Sequence, residues 1–143
     1  MKKAECVAEL LVRALAKSVV REFTEETGEK PIVCLERVIH QQSSPYYFVQ
    51  ALKTRTERSF AGFLLTFETE LSYCIPHPAE ETDYEAMMQK AERMVELLRV
   101  IEIREGDLAC WGQNIKCAID AKGITVSGSF TLRFETPLTG EEA

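Results

Sequence analysis

The first part of the chain, residues 3–26, carries apolar side chains at helical spacing. One stripe recurs every four residues and consists of Val7, Leu11, Leu15, Val19 and Phe23. Charged side chains mark the other faces, which is the pattern of an amphipathic helix. Gly28 follows, and glycine readily adopts the left-handed conformation that ends helices. We therefore predict a long helix over residues 3–26.

Two short strands are predicted next. Residues 31–38 are apolar and partly β-branched around Ile32 and Val33, and residues 46–53 return to strand composition. The stretch between them, from His40 to Pro45, is polar and contains a proline. That composition predicts a loop between the two strands.

The most regular alternation in the chain covers residues 63–73. Its apolar positions lie on one face of a strand and are Phe63, Leu65, Phe67, Leu71 and Tyr73. Polar side chains, Glu68 and Glu70 among them, fall on the other face. This alternation indicates a strand of an antiparallel sheet with one buried and one solvated face. We predict a charged hairpin tip at residues 54–59. Pro76 and Pro78 close the strand, because proline cannot donate a hydrogen bond to the ladder.

A second helix is predicted over residues 82–100. Thr82 and Glu85 fit a capping box, in which each side chain accepts a hydrogen bond from the other residue's backbone N–H. Apolar side chains then follow at helical spacing: Tyr84, Met87, Met88, Ala91, Met94, Val95 and Leu98. The three methionines of this stripe are expected to fill gaps in the core.

The last third of the chain reads as a short element and a β-hairpin. Residues 100–103 and 108–111 flank a predicted turn at 105–107, and strands are predicted at 115–119 and 124–134 around a turn at 120–123. Gly128 is expected at a bulge or a close approach. Residues 136–143 are polar and are expected to be a flexible tail. The order α-β-β-β-α-β-β predicts one α+β domain over residues 1–143, with two long helices packed on a mainly antiparallel sheet of about five strands.

Composition excludes several classes of protein. The chain has 143 residues, 45% of them hydrophobic and 28% charged, which is ordinary for a folded domain. Its apolar runs are far shorter than the ~20 residues that span a bilayer. Lys2 and Lys3 are followed by glutamates, which no secretory signal's apolar region carries, so we expect a cytoplasmic protein. The net charge of −6 argues against specific nucleic-acid binding, which relies on basic contacts to phosphates.

No residue pattern points to catalysis or to a cofactor. The five cysteines are odd in number and contain no C-x-x-C pair, and His40 and His77 lie apart from them, so neither a zinc site nor a disulfide framework is predicted. Each cysteine is expected to act as a small hydrophobe. Cys74 and His77 are close in sequence, but a nucleophile needs a base at hydrogen-bonding distance. Trp111 is either a binding platform or part of the packed core, and its neighbours Leu108 and Cys110 favour packing. We therefore predict no enzyme, metal or cofactor.

One feature favours an interaction site. The hairpin tip carries Lys53, Arg55 and Arg58 with Phe60, and its charge is opposite to that of the whole chain. It is either a solvated loop or a contact for another subunit, for an acidic partner surface or for passing nucleic acid.

The order of these segments resembles the tail terminator (tail completion) proteins of long-tailed phages and prophages. The resemblance covers about residues 5 to 135. It is carried by residues 45–49 (PYYFV), 71–76 (LSYCIP), 91–98 (AERMVELL), 100–103 (VIEI), 123–126 (GITV) and 132–134 (LRF).

The resemblance implies structural work. Proteins of this family form rings, typically hexameric, that cap the tail tube and join it to the head connector. The resemblance implies no enzymatic reaction. It implies that the protein is located in the host cytoplasm and later in the virion tail. Two alternatives stay open: a small intracellular module that binds a peptide or ligand, and a small enzyme of unrecognised type.

Overall fold

The computed structural model describes residues 2–35, 44–59, 62–76, 83–103 and 108–135. These residues form two helices and six strands. The elements are α1 (Lys2–Thr27), β1 (Val33–Cys34), β2 (Tyr46–Ser59), β3 (Gly62–Cys74), α2 (Tyr84–Arg99), β4 (Val100–Ile103), β5 (Leu108–Asp120) and β6 (Gly123–Glu135). The chain is therefore α+β, as predicted.

The six strands form one sheet in the order β1-β2-β3-β6-β5-β4. All neighbours are antiparallel except β1 and β2, which run parallel. The prediction of about five strands is wrong, because Val100–Ile103 is a true strand. It follows α2 directly and pairs with the start of β5. No helix-breaking residue separates this strand from α2. For that reason the sequence predicts only a short element at these residues, and the strand is missing from the predicted count.

Helix α1 begins and ends where the pattern predicts. Its buried stripe contains Leu11, Leu15, Val19 and Phe23, each exposed by no more than 1%. Gly28 has a φ of 79°, and its N–H donates to the carbonyl of Thr24. This is the left-handed helix end for which glycine is suited.

The core lies between the two helices and one face of the sheet. On that face β3 presents Leu65, Phe67 and Leu71, as its alternation predicts, and all three are fully buried. β6 pairs with β3 over its whole length, and Phe130 lies directly opposite Phe67. The rings of these two residues have centroids 6.5 Å apart. Each buried phenylalanine stabilises the fold by roughly 1.5–3 kcal/mol relative to full exposure.

Helix α2 begins one residue later than the capping box implied. Its N-cap is Asp83, whose side chain accepts a hydrogen bond of 3.1 Å from the backbone N–H of Ala86. Thr82 lies outside the described residues. Met87 and Met94 are buried as predicted, but Met88 is 56% exposed, so its assignment to the core is wrong. Met88 adjoins Met87 in sequence, and a step of about 100° around the helix turns it away from the core.

Strand β5 is continuous where the sequence indicated two pieces. The predicted gap between residues 111 and 115 is bridged by a bulge, in which Asn114 and Ile115 together oppose Gly128 of β6. Asn114 has a φ of 53°, which a bulge residue adopts to stay in the strand. Gly128 thus lies opposite a bulge, as predicted. The turn at residues 120–123 is also confirmed, with Asp120 Oδ1 accepting from the N–H of Lys122.

Three predicted segments fall wholly or mostly on residues outside those described. They are the greater part of the loop from His40 to Pro45, the turn at 105–107 and the tail at 136–143.

Candidate interaction surfaces

The predicted hairpin tip is part of a strand. β2 runs to Ser59 and stays paired with β3 until Ser59 meets Gly62. Lys53, Arg55 and Arg58 therefore lie along β2, and the prediction of a tip at residues 54–59 is wrong. Charge at these positions hides the alternation of a strand, while the β-branched threonines between them suit one. Phe60 lies outside the described residues.

We call residues 51–58 the β2 arm. Every one of its residues is exposed. A bulge at Leu52 changes which residues face the core side of the sheet. Beyond the bulge, Thr54 lies opposite Phe67 and Thr56 lies opposite Leu65. Directly opposed residues share a face, so these threonines and Arg58 occupy the core side, while Lys53, Arg55 and Glu57 occupy the outer side.

The charges of the β2 arm are mostly basic. Three basic side chains stand against one acidic side chain, Glu57, whose Oε1 lies 3.8 Å from Arg55 Nε. Both members of this pair are exposed, so the pair contributes little to stability. On the outer face, Lys53 lies directly opposite Glu68 of β3. Glu70, next along that face, accepts a hydrogen bond of 3.0 Å from Gln50 Nε2. Each of the two glutamates therefore faces a polar neighbour on β2.

A groove of about 620 Å³ lies between α2 and the far end of β5. We call it the α2–β5 groove. Its apolar lining includes the exposed Met88 and residues of both elements: Ala91, Val95, Cys117 and Ile119. Its charged lining is Glu92, Arg93, Glu96 and Arg99. Arg93 binds Glu22 at 2.8 Å and Arg99 binds Glu96 at 2.9 Å, so each arginine of the rim is engaged by a glutamate. Sequence reasoning missed this groove, because it expected Met88 in the core.

A second depression lies on the outer face of the sheet between the two bulges. Its volume is about 430 Å³. Most of the residues that line it are polar, namely Glu68, Asn114, Lys116, Ser127 and Ser129, and the others are Leu52 and Gly128.

Lys90 sits in an aromatic cage at the junction of four elements. Its Nζ lies 4.5 Å from the ring centroids of both Phe23 and Tyr73, and 5.3 Å from that of Tyr47. It also donates a hydrogen bond of 2.6 Å to Tyr47 Oη. Burial lowers the pKa of Lys90 to about 8 and raises the pKa of Tyr47. The cage binds α2 to α1 and to the β2–β3 pair.

No local sequence pattern indicates this cage, because its members are spread from residue 23 to residue 90. Arg93 extends it toward α1. Its Nη2 donates to the backbone carbonyl of Glu22 at 3.0 Å, and its guanidinium carbon lies 4.8 Å from the Phe23 ring centroid.

Four cysteines have side chains that the structure describes. Cys34, Cys74, Cys110 and Cys117 are free thiols. Burial raises the pKa of Cys74, and a hydrogen bond from Tyr46 lowers it only in part, so the thiol form prevails. His77, the other half of the Cys–His pair considered above, lies outside the described residues. Cys117 is exposed and lies among the apolar residues that line the groove.

Trp111 is 65% exposed, so the prediction that it packs into the core is wrong. It lies opposite Val100 on the outer face of the sheet, while its neighbour Cys110 takes the buried face. The prediction for Trp111 relied on its apolar neighbours in the sequence. Successive side chains of a strand point to opposite faces, so Trp111 points away from the face on which Cys110 is buried.

Within the described residues, no three histidine, cysteine, aspartate or glutamate side chains are grouped to hold a metal ion. Over the same part of the chain, neither helix is long and apolar enough to cross a membrane.

No protein-family model matches the chain, and no curated protein matches it. One similar solved structure, of a protein without a descriptive name, is 17% identical and has a TM-score of 0.47. The match covers 86% of this chain and 92% of that one. A likeness at this level carries no argument about function.

Proposed function

We propose that this chain is a tail terminator-like structural protein of a long-tailed phage or prophage. It would form a ring that caps the tail tube and joins the tube to the head connector. The observation that carries the proposal is the sequence resemblance over residues 5 to 135. The resembling segments fall in β2, β3, α2, β4 and β6, so they include most of the fold's framework.

The surfaces of the molecule support an assembly role. A ring of identical subunits needs two different patches on each subunit, one to meet each neighbour. The chain offers a basic exposed arm on β2 and, beside β5, an apolar groove whose rim carries two glutamates and two arginines. The arm on β2 and the groove beside β5 lie toward opposite edges of the sheet, and this placement suits head-to-tail contacts.

The finer parts of the proposal follow from the resemblance. We propose a hexamer, with the tail tube and head connector proteins as further partners. The protein would act without catalysis or cofactor, and without specific nucleic-acid binding. It would reside in the host cytoplasm and then in the virion tail.

Negative-stain microscopy of the purified protein, with light scattering over a range of concentrations, tests this proposal. We expect ring-shaped particles with an axial opening, and a scattering mass that rises with concentration to a plateau. Monomers at every concentration, with no rings in the micrographs, would overturn it.

The α2–β5 groove favours one alternative, a binding module for a peptide or ligand. Its volume is in the range of small-molecule sites, and apolar residues line its floor. Such a module would bind its ligand as a monomer. A fragment screen by NMR decides between the two: saturable shifts confined to the groove, in a protein that stays monomeric, favour the binding module.

A further inference from the structure

We infer that the α2–β5 groove and the open edge of β5 receive the β2 arm of a second copy of this chain, so that one continuous sheet crosses the subunit boundary. This inference rests on the proposed function, since it names the contact from which the ring is built.

The sheet has two open edges among its described strands. Among the described residues, β1 pairs with β2 only at Tyr47 and Phe48, so no described strand lies beside the outer edge of β2 from Val49 to Ser59. Within the same residues, β4 pairs with β5 only as far as Trp111, and no described strand lies beside that edge of β5 from Gly112 to Asp120. Unpaired strand edges present backbone donors and acceptors that another strand can satisfy. The two open stretches are of similar length.

The directions of the strands allow the two edges to meet. Since β2, β3, β6 and β5 are neighbours and each is antiparallel to the next, β5 runs opposite to β2. A copy rotated about a ring axis keeps its sheet in the same sense, so its β2 would add antiparallel to β5. The core-side faces of the two sheets would also coincide. The added strand therefore continues the antiparallel pattern, and the core-side face of the second sheet lies on the same side as that of the first.

The side chains on that face fit the groove. Cys117 and Ile119 of β5 lie on the core side, opposite the buried Val126 and Ile124 of β6, and they form the groove wall that faces α2. A strand added next to β5 would direct its own core-side residues into the same space. In the β2 arm these residues are Thr54, Thr56 and Arg58. The threonines are small enough for the apolar floor, and Arg58 reaches the rim.

Charge disfavours the competing contact between two arms. The arm carries three basic side chains and one acidic side chain. The groove rim carries two glutamates, Glu92 and Glu96, and two arginines, Arg93 and Arg99, so its charges balance. Pairing of two arms would place like charges side by side, and the groove presents no such net repulsion. A head-to-tail contact of this kind closes into a ring when its rotation divides a full turn.

Disulfide trapping between two differently labelled chains tests the contact. The first chain carries Thr56→Cys and Cys117→Ser, and the second is the wild type with its native Cys117. The two are mixed and oxidised with oxidised glutathione, which accepts two electrons and two protons as the thiols join. Thr54→Cys in place of Thr56→Cys gives a second probe of the same face. Glu57→Cys is the matched control, because it lies next to Thr56 on the outer face.

The expected product is a dimer linking residue 56 or 54 of the first chain to Cys117 of the second, identified by mass spectrometry of the linked peptides. Facing strands hold Cβ atoms near the separation that a disulfide needs, so we expect on the order of tenfold more of it than from Glu57→Cys. Dimers of the first chain alone, linked through residue 56, would instead show arm-to-arm pairing and overturn the inference. Equal yields from Thr56→Cys and Glu57→Cys would overturn it as well.

The same preparations separate this inference from the proposed function. If the wild type forms rings but residues 54 and 56 fail to link to Cys117, the ring uses another interface and only the contact is wrong. If the wild type stays monomeric at every concentration and no link forms, both the contact and the proposed function fail.

Discussion

Replacing Lys90 by methionine tests the aromatic cage. The ammonium of Lys90 is enclosed by the rings of Phe23, Tyr47 and Tyr73, and burial lowers its pKa from 10.5 to about 8. The unfolded chain keeps the higher pKa. Between pH 8 and 10.5 the unfolded state therefore binds more protons than the folded state, and the free energy of unfolding rises with pH. Below pH 8 both states are protonated, so this contribution is constant there.

The size of the effect follows from the same values. One pKa unit corresponds to about 1.4 kcal/mol, so a change from pH 8 to pH 9.5 adds at most about 2 kcal/mol to the stability of the wild type. Above pH 10 the raised pKa of Tyr47 acts in the opposite sense, because the unfolded tyrosine loses its proton first. The useful window is therefore pH 8 to 9.5.

The assay is urea unfolding of wild type and Lys90→Met at pH 7.5, 8.5 and 9.5, followed by circular dichroism. Cysteines and other titrating groups are common to both proteins and cancel in the difference. We expect the stability of wild type relative to Lys90→Met to increase by about 1–2 kcal/mol across this range. Lys116→Met, at an exposed position, controls for the loss of a positive charge. A difference that stays constant with pH would show that Lys90 is solvated, and would refute the cage.

Three further predictions concern single positions. Asp83→Ala removes the N-cap of α2 and should lower the unfolding free energy by about 1 kcal/mol, measured by urea titration. Gly112→Ala places a Cβ 2.1 Å from the carbonyl oxygen of Leu98. It should destabilise by about 1–3 kcal/mol in thermal melts, whereas Gly128→Ala, whose nearest contacts would be side-chain atoms at 3.4 Å, should cost less. The emission of Trp111 in the monomer should resemble that of hydrated indole and change little on unfolding; a strongly blue-shifted emission would contradict its exposure.

The helices and the buried strand could be predicted because each carries its own periodicity. The four-residue stripe of α1 and the alternation of β3 reflect burial on one face, and burial is what the hydrophobic pattern encodes. The same rule failed where burial does not control the pattern. Every residue of the β2 arm is exposed. From Thr54 to Arg58 polar side chains occupy both faces of the strand, so the sequence there indicates a hairpin tip. The strand persists there because β3 pairs with it.

The candidate surfaces were harder to predict for a related reason. The groove depends on the exposure of Met88 and Cys117, and the apolar residues beside them in the sequence gave no sign that either would be exposed. The cage depends on contacts between residues more than 60 positions apart, such as Phe23 and Lys90. Such long-range contacts are set by the packing of helices on the sheet, which no local pattern records.

Native mass spectrometry of the purified wild-type chain tests the central claim most directly. The account predicts a closed assembly with one dominant mass, a whole multiple of the 16.2 kDa chain, and six copies if the hexamer is correct. That mass should persist over a wide range of concentration, because a closed ring has no free ends to extend. A chain that remains at the mass of a monomer throughout, or that forms open polymers without a preferred mass, would contradict it.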